Sequence, residues 1–410
     1  MAYLNGRLPP ATSQFPSGTV GGPRDDDVAT AIDSVPCEAI LQRLQQYRWT
    51  GRKGHNLSAL WRAYLASFLL NFGSTNDLIR QLEKQPELAR TCGFTGQLPS
   101  RWTFNRFIRR LSDHSDLVER ALTDLTAKLA DSLPGFGEAV AVDSTYVRVH
   151  SNGNRTPWSD PEARWGYKNS AQVHGGKKIL RFGYRLHAIA DAKWGIPITG
   201  LVTSANIVDM TELPSVLAKA KDQYPWFRPR YVIGDRGYDS KKNFDTVVSY
   251  GAAPVILMRR NALGGPKTTM FSPKGAPKCM GGLAMVHVKS DATLGHLYRC
   301  PEGGCHLKTR RGVRYCYDDV WIPVSGDPRF SGRIGKDSPE WNALYNLRQS
   351  IERLFKSLKE SRRLERHCVR GRAQIVLHIM MAVLAYQATA LVHVQAGRLG
   401  EMRWMVKKVA

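Results

Sequence analysis

Apolar residues recur along this chain with two different periods, and the change of period divides it. From Pro36 to Ser132 they return every three to four positions, the spacing of helices that bury one face. Ala39-Ile40-Leu41 with Leu44 opens this part, and Leu57 to Leu70 forms a second, more apolar helix. Thr75-Asn76-Asp77 reads as an N-cap region before Leu78 to Leu82. Ser100 to Leu111 interleaves aromatics with Arg101, Arg106, Arg109 and Arg110, and Asp113 to Leu129 is a further helix that ends before Leu133-Pro134-Gly135. After Gly137 the pattern becomes β-rich. Ala139 to Val149, Tyr184 to Ala190 and Pro197 to Thr203 predict three strands. A helix over Met210 to Lys221, a strand over Tyr231 to Gly234, a helix over Lys242 to Tyr250 and a strand over Pro254 to Met258 follow. His150 to Lys178, with Asp160, Arg164, Trp165 and Lys168, reads as a loop. The order β-β-β-α-β-α-β predicts a mixed α/β sheet flanked by helices.

The divisions that result are a disordered tail over 1–35, a helical DNA-binding domain over 36–134 and the first part of the sheet domain over 137–259. An insertion over 260–335, the C-terminal helices of the sheet domain over 336–396 and a basic tail over 397–410 complete the chain. Ala373 to Gly397 holds no Asp, Glu, Lys or Arg and is long enough to span a bilayer. His378, Gln387, Thr389 and His393 interrupt it, so the expectation is a buried core helix and no membrane partner.

Charge narrows the choice of partner. Lys and Arg number 59 against 35 Asp and Glu, a formal charge of +24 over 410 residues. An excess of that size points to a polyanion, and double-stranded DNA is the first choice. Seven cysteines are too few for a disulfide scaffold, and no charged-then-apolar leader opens the chain, so a cytoplasmic location is expected. Cys279, Cys300, Cys305 and Cys316 cluster in the insertion, and Cys300-x4-Cys305 is near zinc-knuckle spacing. A structural Zn²⁺ on these four thiolates is one reading; unrelated thiols in a loop-rich segment is the other.

The organising stretch is Trp341 to Gly371. At about 100° per residue, Tyr345, Arg348, Glu352, Lys356, Lys359, Arg363 and Arg366 fall in one narrow arc. Leu347, Ile351, Leu354, Phe355 and Leu358 form a separate apolar face. Glu352 is thus a lone acid in a cationic strip. Surface faces usually mix signs to gain i,i+4 pairs, so a metal near phosphates would account for it. Asp143 lies inside the first strand, and Asp235 ends the fourth, just before Gly237. Carboxyl ends of strands are the usual place for a site in such a sheet. Three carboxylates without His or Cys suit Mg²⁺ or Mn²⁺ better than zinc.

These residues resemble a known family. Tyr345, Arg348, Glu352 and Lys359 meet every spacing of the Tyr-x2-Arg-x3-Glu-x6-Lys signature of bacterial insertion-sequence DDE transposases. The contexts VAVDST and IGDRGYDS, the strand pair GYRLHAIADAKWGIPITGLVTSANIVD and the helices ending in PSRWTFNRFIRRL resemble that family too, so the likeness runs from about Pro36 to Val394. It implies an RNase H-like catalytic domain. It implies that Asp143, Asp235 and Glu352 are the catalytic, metal-binding acids for two Mg²⁺ or Mn²⁺ ions. It implies DNA-phosphate contacts from Tyr345, Arg348 and Lys359, to which the strip adds Lys356 and Arg363. The activity implied is cleavage at the element's terminal repeats, followed by transfer of the freed 3′-OH to target DNA, by a homodimer or larger assembly on paired ends. A silent DNA-binding repressor and an RNase H-like nuclease that cuts without joining are the alternative functions.

Overall fold

The computed structural model describes residues 25–48, 54–169, 178–259, 270–301 and 319–402. Seven helices come first: α1 (Asp25–Asp33), α2 (Glu38–Gln45), α3 (Leu57–Leu69), α4 (Thr75–Lys84), α5 (Pro86–Cys92), α6 (Arg101–Ser112) and α7 (Ser115–Ser132). Polar caps set several starts. The Asn56 side chain accepts from Ser58 N, Ser74 from Asp77 N and Ser100 from Thr103 N. The expected tail therefore needs correcting over its last residues. Asp25–Asp33 is helical, with Val28, Ala31 and Ile32 buried, and Asp27 is paired with Arg398 at 2.8 Å. Residues 1–24 lie outside the described residues.

The sheet strands are β1 (Ala139–Arg148), β2 (Arg164–Asn169), β3 (Lys178–Asp191), β4 (Pro197–Ser204), β5 (Tyr231–Gly234) and β6 (Ala253–Ile256), with α8 (Asp209–Gln223) and α9 (Lys241–Ser249) between the later ones. β4, β3 and β1 run antiparallel in that order, and β1, β5 and β6 run parallel. That mixed order, with helices packed on it, is the RNase H-like α/β fold. β2 is a further strand, inside the segment expected to be a loop. It exists because β3 is long: residues 184–190 pair with β4, while residues 178–183 offer β2 the edge that β4 leaves. Gly183 sits at the hand-over with φ 148°, and a Cβ there would lie 2.4 Å from Val147 O.

Three strands form a separate antiparallel sheet in the expected insertion: β7 (Val286–Asp291), β8 (Gly295–Arg299) and β9 (Asp319–Ile322). Ala276, Cys279, Met285, Tyr298 and Cys300 make its small core. Cys279 and Cys300 are buried there as free thiols; Cys305 and Cys316, the other half of the zinc reading, lie outside the described residues.

The C-terminal helices are α10 (Pro339–Asn346), α11 (Gln349–Ser361) and α12 (Arg372–Gln395). The single helix expected across Trp341 to Gly371 is in fact α10, α11 and an irregular segment. α10 and α11 nearly join. Leu347 and Arg348 keep right-handed helical dihedrals, but Arg348 N bonds Tyr345 O and Ile351 N bonds Arg348 O, the i→i+3 pattern of a tightened turn.

α12 is the expected core helix, buried nearly all round. It packs on α1, α3, α6 and α7 and on β4, so one hydrophobic core runs from the N-terminal helices into the sheet. Its polar side chains are bonded into that core. Gln387 Nε2 donates to Thr126 Oγ1 of α7 and to Pro197 O of β4, both at 2.8 Å. Tyr386 OH donates to Gly195 O, and the buried Arg362 links Thr389 of α12 to Leu69 O of α3. We expect helices and sheet to unfold in one transition. Gln387→Ala should cost about 1–3 kcal/mol, lowering the urea midpoints read by far-UV and near-UV circular dichroism together. Midpoints that separate in the variant would disprove the shared core.

Candidate active site

β1 and β5 lie side by side and parallel, with Ala141 opposite Ile233. Continuing that register brings Asp143 level with Asp235, just past the end of β5. Asp143 follows three buried residues, Val140, Ala141 and Val142, and one of its oxygens accepts from Ser144 N at 2.7 Å. Asp235 caps a single 3₁₀ turn, accepting from Gly237 N at 2.6 Å. Glu352 stands in the first turn of α11, which packs on β1 and β3. All three acids line one cleft of about 1060 Å³, with Arg148, Arg181, Arg185, Arg236, Arg259, Arg348 and Lys359 around them.

Charge at this cleft is unbalanced at its floor. Burial, and next the nearby Asp235 carboxylate, push Asp143 up from 3.8 to about 7. Arg348 pulls the other way, more weakly. Its Nη2 is bound to Glu352 Oε1 at 2.7 Å, and its guanidinium lies 5.7 Å from the Tyr345 ring centre. Tyr345 in turn stacks on Trp341 at 5.0 Å, so ring, guanidinium and carboxylate form a short column along α10 and α11.

The donor set is chemically suited to a hard divalent ion. Of two adjacent carboxylates, Asp143 is pushed toward its neutral form by burial and by the other, and a cation between them would restore its charge. Among the described residues, no three of His, Cys, Asp and Glu are grouped closely enough to hold an ion. Asp143 and Asp235 fit as a pair, while Glu352 is turned onto Arg348.

The strip predicted from helical spacing is only partly brought together. Arg348, Glu352 and Lys359 line the cleft, and Lys359 is paired with Glu365 at 2.8 Å. Lys356 is exposed outside the lining, and Tyr345 lies under Arg348. The expectation for Arg363 is corrected. α11 ends at Ser361, Arg363 takes the left-handed φ of 63°, and Leu364 N bonds back to Leu358 O, so the chain turns off the helix axis. Arg363 is therefore buried, bonded to Ser67 Oγ at 2.5 Å and lying 4.6 Å from the Phe68 ring. Helical phase carried past the true helix end had placed it with the cations. No glycine marks that end.

Asp209 is the acid that sequence reasoning passed over. It opens α8 and accepts from Ser144 Oγ and from Arg185 Nη1, the latter at 2.7 Å. His187 Nδ1 is 3.6 Å away, and burial holds His187 down at about 4. Its other oxygen lies 3.5 Å from where a Gly237 Cβ would be. Asp209 therefore braces Ser144, the neighbour of Asp143, and lines the same cleft as both acids. Two other acids near strand ends are structural: Asp191 accepts from Gly137 N and Trp194 N, and Asp239 from Arg259 N. In the sequence nothing sets Asp209, at the start of a helix, apart from these two.

Comparison with known proteins matches this layout. The Transposase DDE domain family matches residues 134–272 and 333–388, and a second family, described as a transposase domain, matches residues 22–110. The chain belongs to the DDE-domain transposases. The break in the family's match falls over β7, β8 and β9, so the second sheet interrupts the transposase domain. A Burkholderia cepacia protein named as a transposase for insertion sequence element IS402 is 35% identical over 106 residues. That stretch is 25% of this chain and 49% of the relative, so the match spans about half the relative's length.

The raised Asp143 makes a prediction for the metal-free transposase. Its folded value, about 7, exceeds its ordinary 3.8. Between those values the folded state holds a proton that the unfolded chain has lost, so stability falls as pH rises through this window and levels off above it. Asp143→Asn should therefore melt above wild type at pH values beyond about 7 in EDTA, and the gain should fade toward about pH 4. Calorimetry across that range checks it; a difference independent of pH would contradict the raised carboxyl.

Proposed function

We propose that this transposase cuts DNA at the ends of an insertion sequence and joins the freed 3′-OH to target DNA. The observation that carries the reading is the meeting of Asp143, Asp235 and Glu352 in one largely cationic cleft. These acids would hold two Mg²⁺ or Mn²⁺ ions, which when bound stabilise charge on the attacking and leaving oxygens of a phosphoryl transfer. Glu352 would leave Arg348 to complete that set. The guanidinium, backed by Tyr345, would then be open to grip a phosphate in bidentate fashion. Lys359, two turns along α11, and the exposed Lys356 would hold further phosphates of the terminal bases. Arg101, Arg106 and Arg109 are exposed on α6, while Phe104 and Phe107 of the same helix are buried, so this helix presents cations to the DNA backbone. The partners in this reading are double-stranded terminal repeats and target DNA, engaged by a homodimer or larger assembly, at the nucleoid in the cytoplasm.

The acids and the cations should separate in experiment. Glu352→Gln should abolish Mg²⁺-dependent nicking of the element's ends while leaving end binding within about twofold. Lost binding with intact nicking would overturn the assignment. Arg348→Ala should weaken end binding and lower the slope of log K against log salt by about one unit. Filter binding over a salt series reads both, and an unchanged slope would count against the phosphate role.

A further inference from the structure

We propose that Arg259 is a positioning residue for Asp235: its guanidinium holds the single turn against which that carboxylate rests. The proposal rests on the reading of Asp235 as a metal ligand, and names the group that sets its place.

A carboxylate just past a short strand needs something to fix it. β5 has only four residues, Tyr231–Gly234, and the chain beyond Asp235 is one 3₁₀ turn, Arg236–Tyr238. The turn's backbone bonds are Tyr238 N to Asp235 O at 3.2 Å and Asp239 N to Arg236 O at 3.3 Å. So short a helix leaves its last carbonyls without helical partners and gains little from its few bonds, so outside donors must stabilise it. Asp235 in turn takes its place from the turn. Its Oδ1 accepts from Gly237 N at 2.6 Å, and a Cβ at Gly237 would lie 2.7 Å from that oxygen.

Arg259 supplies the missing donors. β6 runs parallel to β5 with Ile256 opposite Gly234, so Arg259, three residues on, leaves the sheet beside the turn. Its Nε donates to Arg236 O and its Nη2 to Gly237 O, both at 2.8 Å. One edge of a planar fork thus spans two successive carbonyls, a geometry that a lysine ammonium does not reproduce. The next carbonyl, of Tyr238, accepts from Asn243 Nδ2 at 2.9 Å. The base of the arginine is fixed as well. Arg259 N donates to Oδ2 of the buried Asp239 at 2.7 Å, and the N–H of the buried Met258 donates to Pro273 O at 2.8 Å. The side chain therefore reaches from an anchored strand end to a turn with few bonds of its own.

Charge and geometry make opposite demands here, and that separates them. A cation beside an acid opposes the metal ion the acid is to hold, so removing it would strengthen metal binding if charge were its only effect. Removing a group that orients a ligand weakens metal binding instead.

The test is calorimetric titration of Mn²⁺ into the full-length protein without DNA, well below its melting temperature. Arg259→Lys keeps the charge and loses the fork; Arg259→Gln loses the charge and keeps one donor. Both should bind Mn²⁺ about tenfold more weakly than wild type. Arg259→Lys should bind the element's ends within about twofold of wild type, with the same salt slope. Arg259→Gln carries the test if Arg259→Lys does not fold. A lower melting temperature with wild-type Mn²⁺ binding in both variants would reduce Arg259 to a structural role and overturn the proposal. So would tighter Mn²⁺ binding in Arg259→Gln, the mark of charge alone. Weakened end binding and a lower salt slope in Arg259→Gln, with Mn²⁺ binding unchanged, would make it a phosphate contact instead. Mn²⁺ binding that Asp235→Asn leaves untouched would sink the metal reading of Asp235 and the proposal with it, whereas a loss in Asp235→Asn alone would overturn only the role of Arg259.

Discussion

The burial of α12 is the contact on which the other parts depend. Its apolar side chains, among them Ile375, Leu377, Leu384 and Leu391, are almost wholly removed from water, each gaining about 1.5–3 kcal/mol. No single layer could supply that environment. The N-terminal helices cover one side and the sheet, with α7 and β4, covers the other. The same helix thereby fixes how the arginine-bearing α6 sits relative to the sheet that carries the acids. Its few polar groups are bonded across these boundaries, which makes the packing specific in register as well as favourable.

On that frame, the cleft is a problem in electrostatics. A parallel pair of strands puts two carboxylates side by side, and burial makes the charge of Asp143 costly. α11 then lays a cation between them and the third acid, Glu352, which is half exposed and turned outward onto Arg348. The three acids therefore line one cleft without being grouped, with Glu352 held by Arg348. Asp209, tied to Arg185, adds a fixed acid that holds Ser144 in place.

The family places this cleft among DDE transposases, and the structure shows what this chain adds to it. Between β6 and α10, outside the family's match, stands a second sheet with its own small core around Tyr298, Cys279 and Cys300. Within the match, β2 extends the sheet beside β3, and its Trp165 and Tyr167 line the cleft. Among the described residues, neither the second sheet nor β2 supplies an acid to the cleft.

Sequence by itself determined the elements whose stability is local or whose pattern is strong. The strands carrying Asp143 and Asp235 could be read from their apolar runs, α12 from its uncharged length, and the spacing of Tyr345, Arg348, Glu352 and Lys359 from helical pitch, which the tightened turn at Leu347 hardly disturbs. Tertiary structure decided the rest. β2 is a strand because β3 outruns β4 and offers it an edge, and α1 is a helix because α12 buries its Val28 and Ile32. Arg363 leaves the cationic strip because Ser67 and Phe68, almost three hundred residues earlier in the chain, stabilise a left-handed residue where a glycine would usually stand. Asp209 resembles any helix-opening acid until Arg185 and Ser144 close on it. In each case the deciding partner is distant in sequence, and local periodicity carries no information about a contact of that kind.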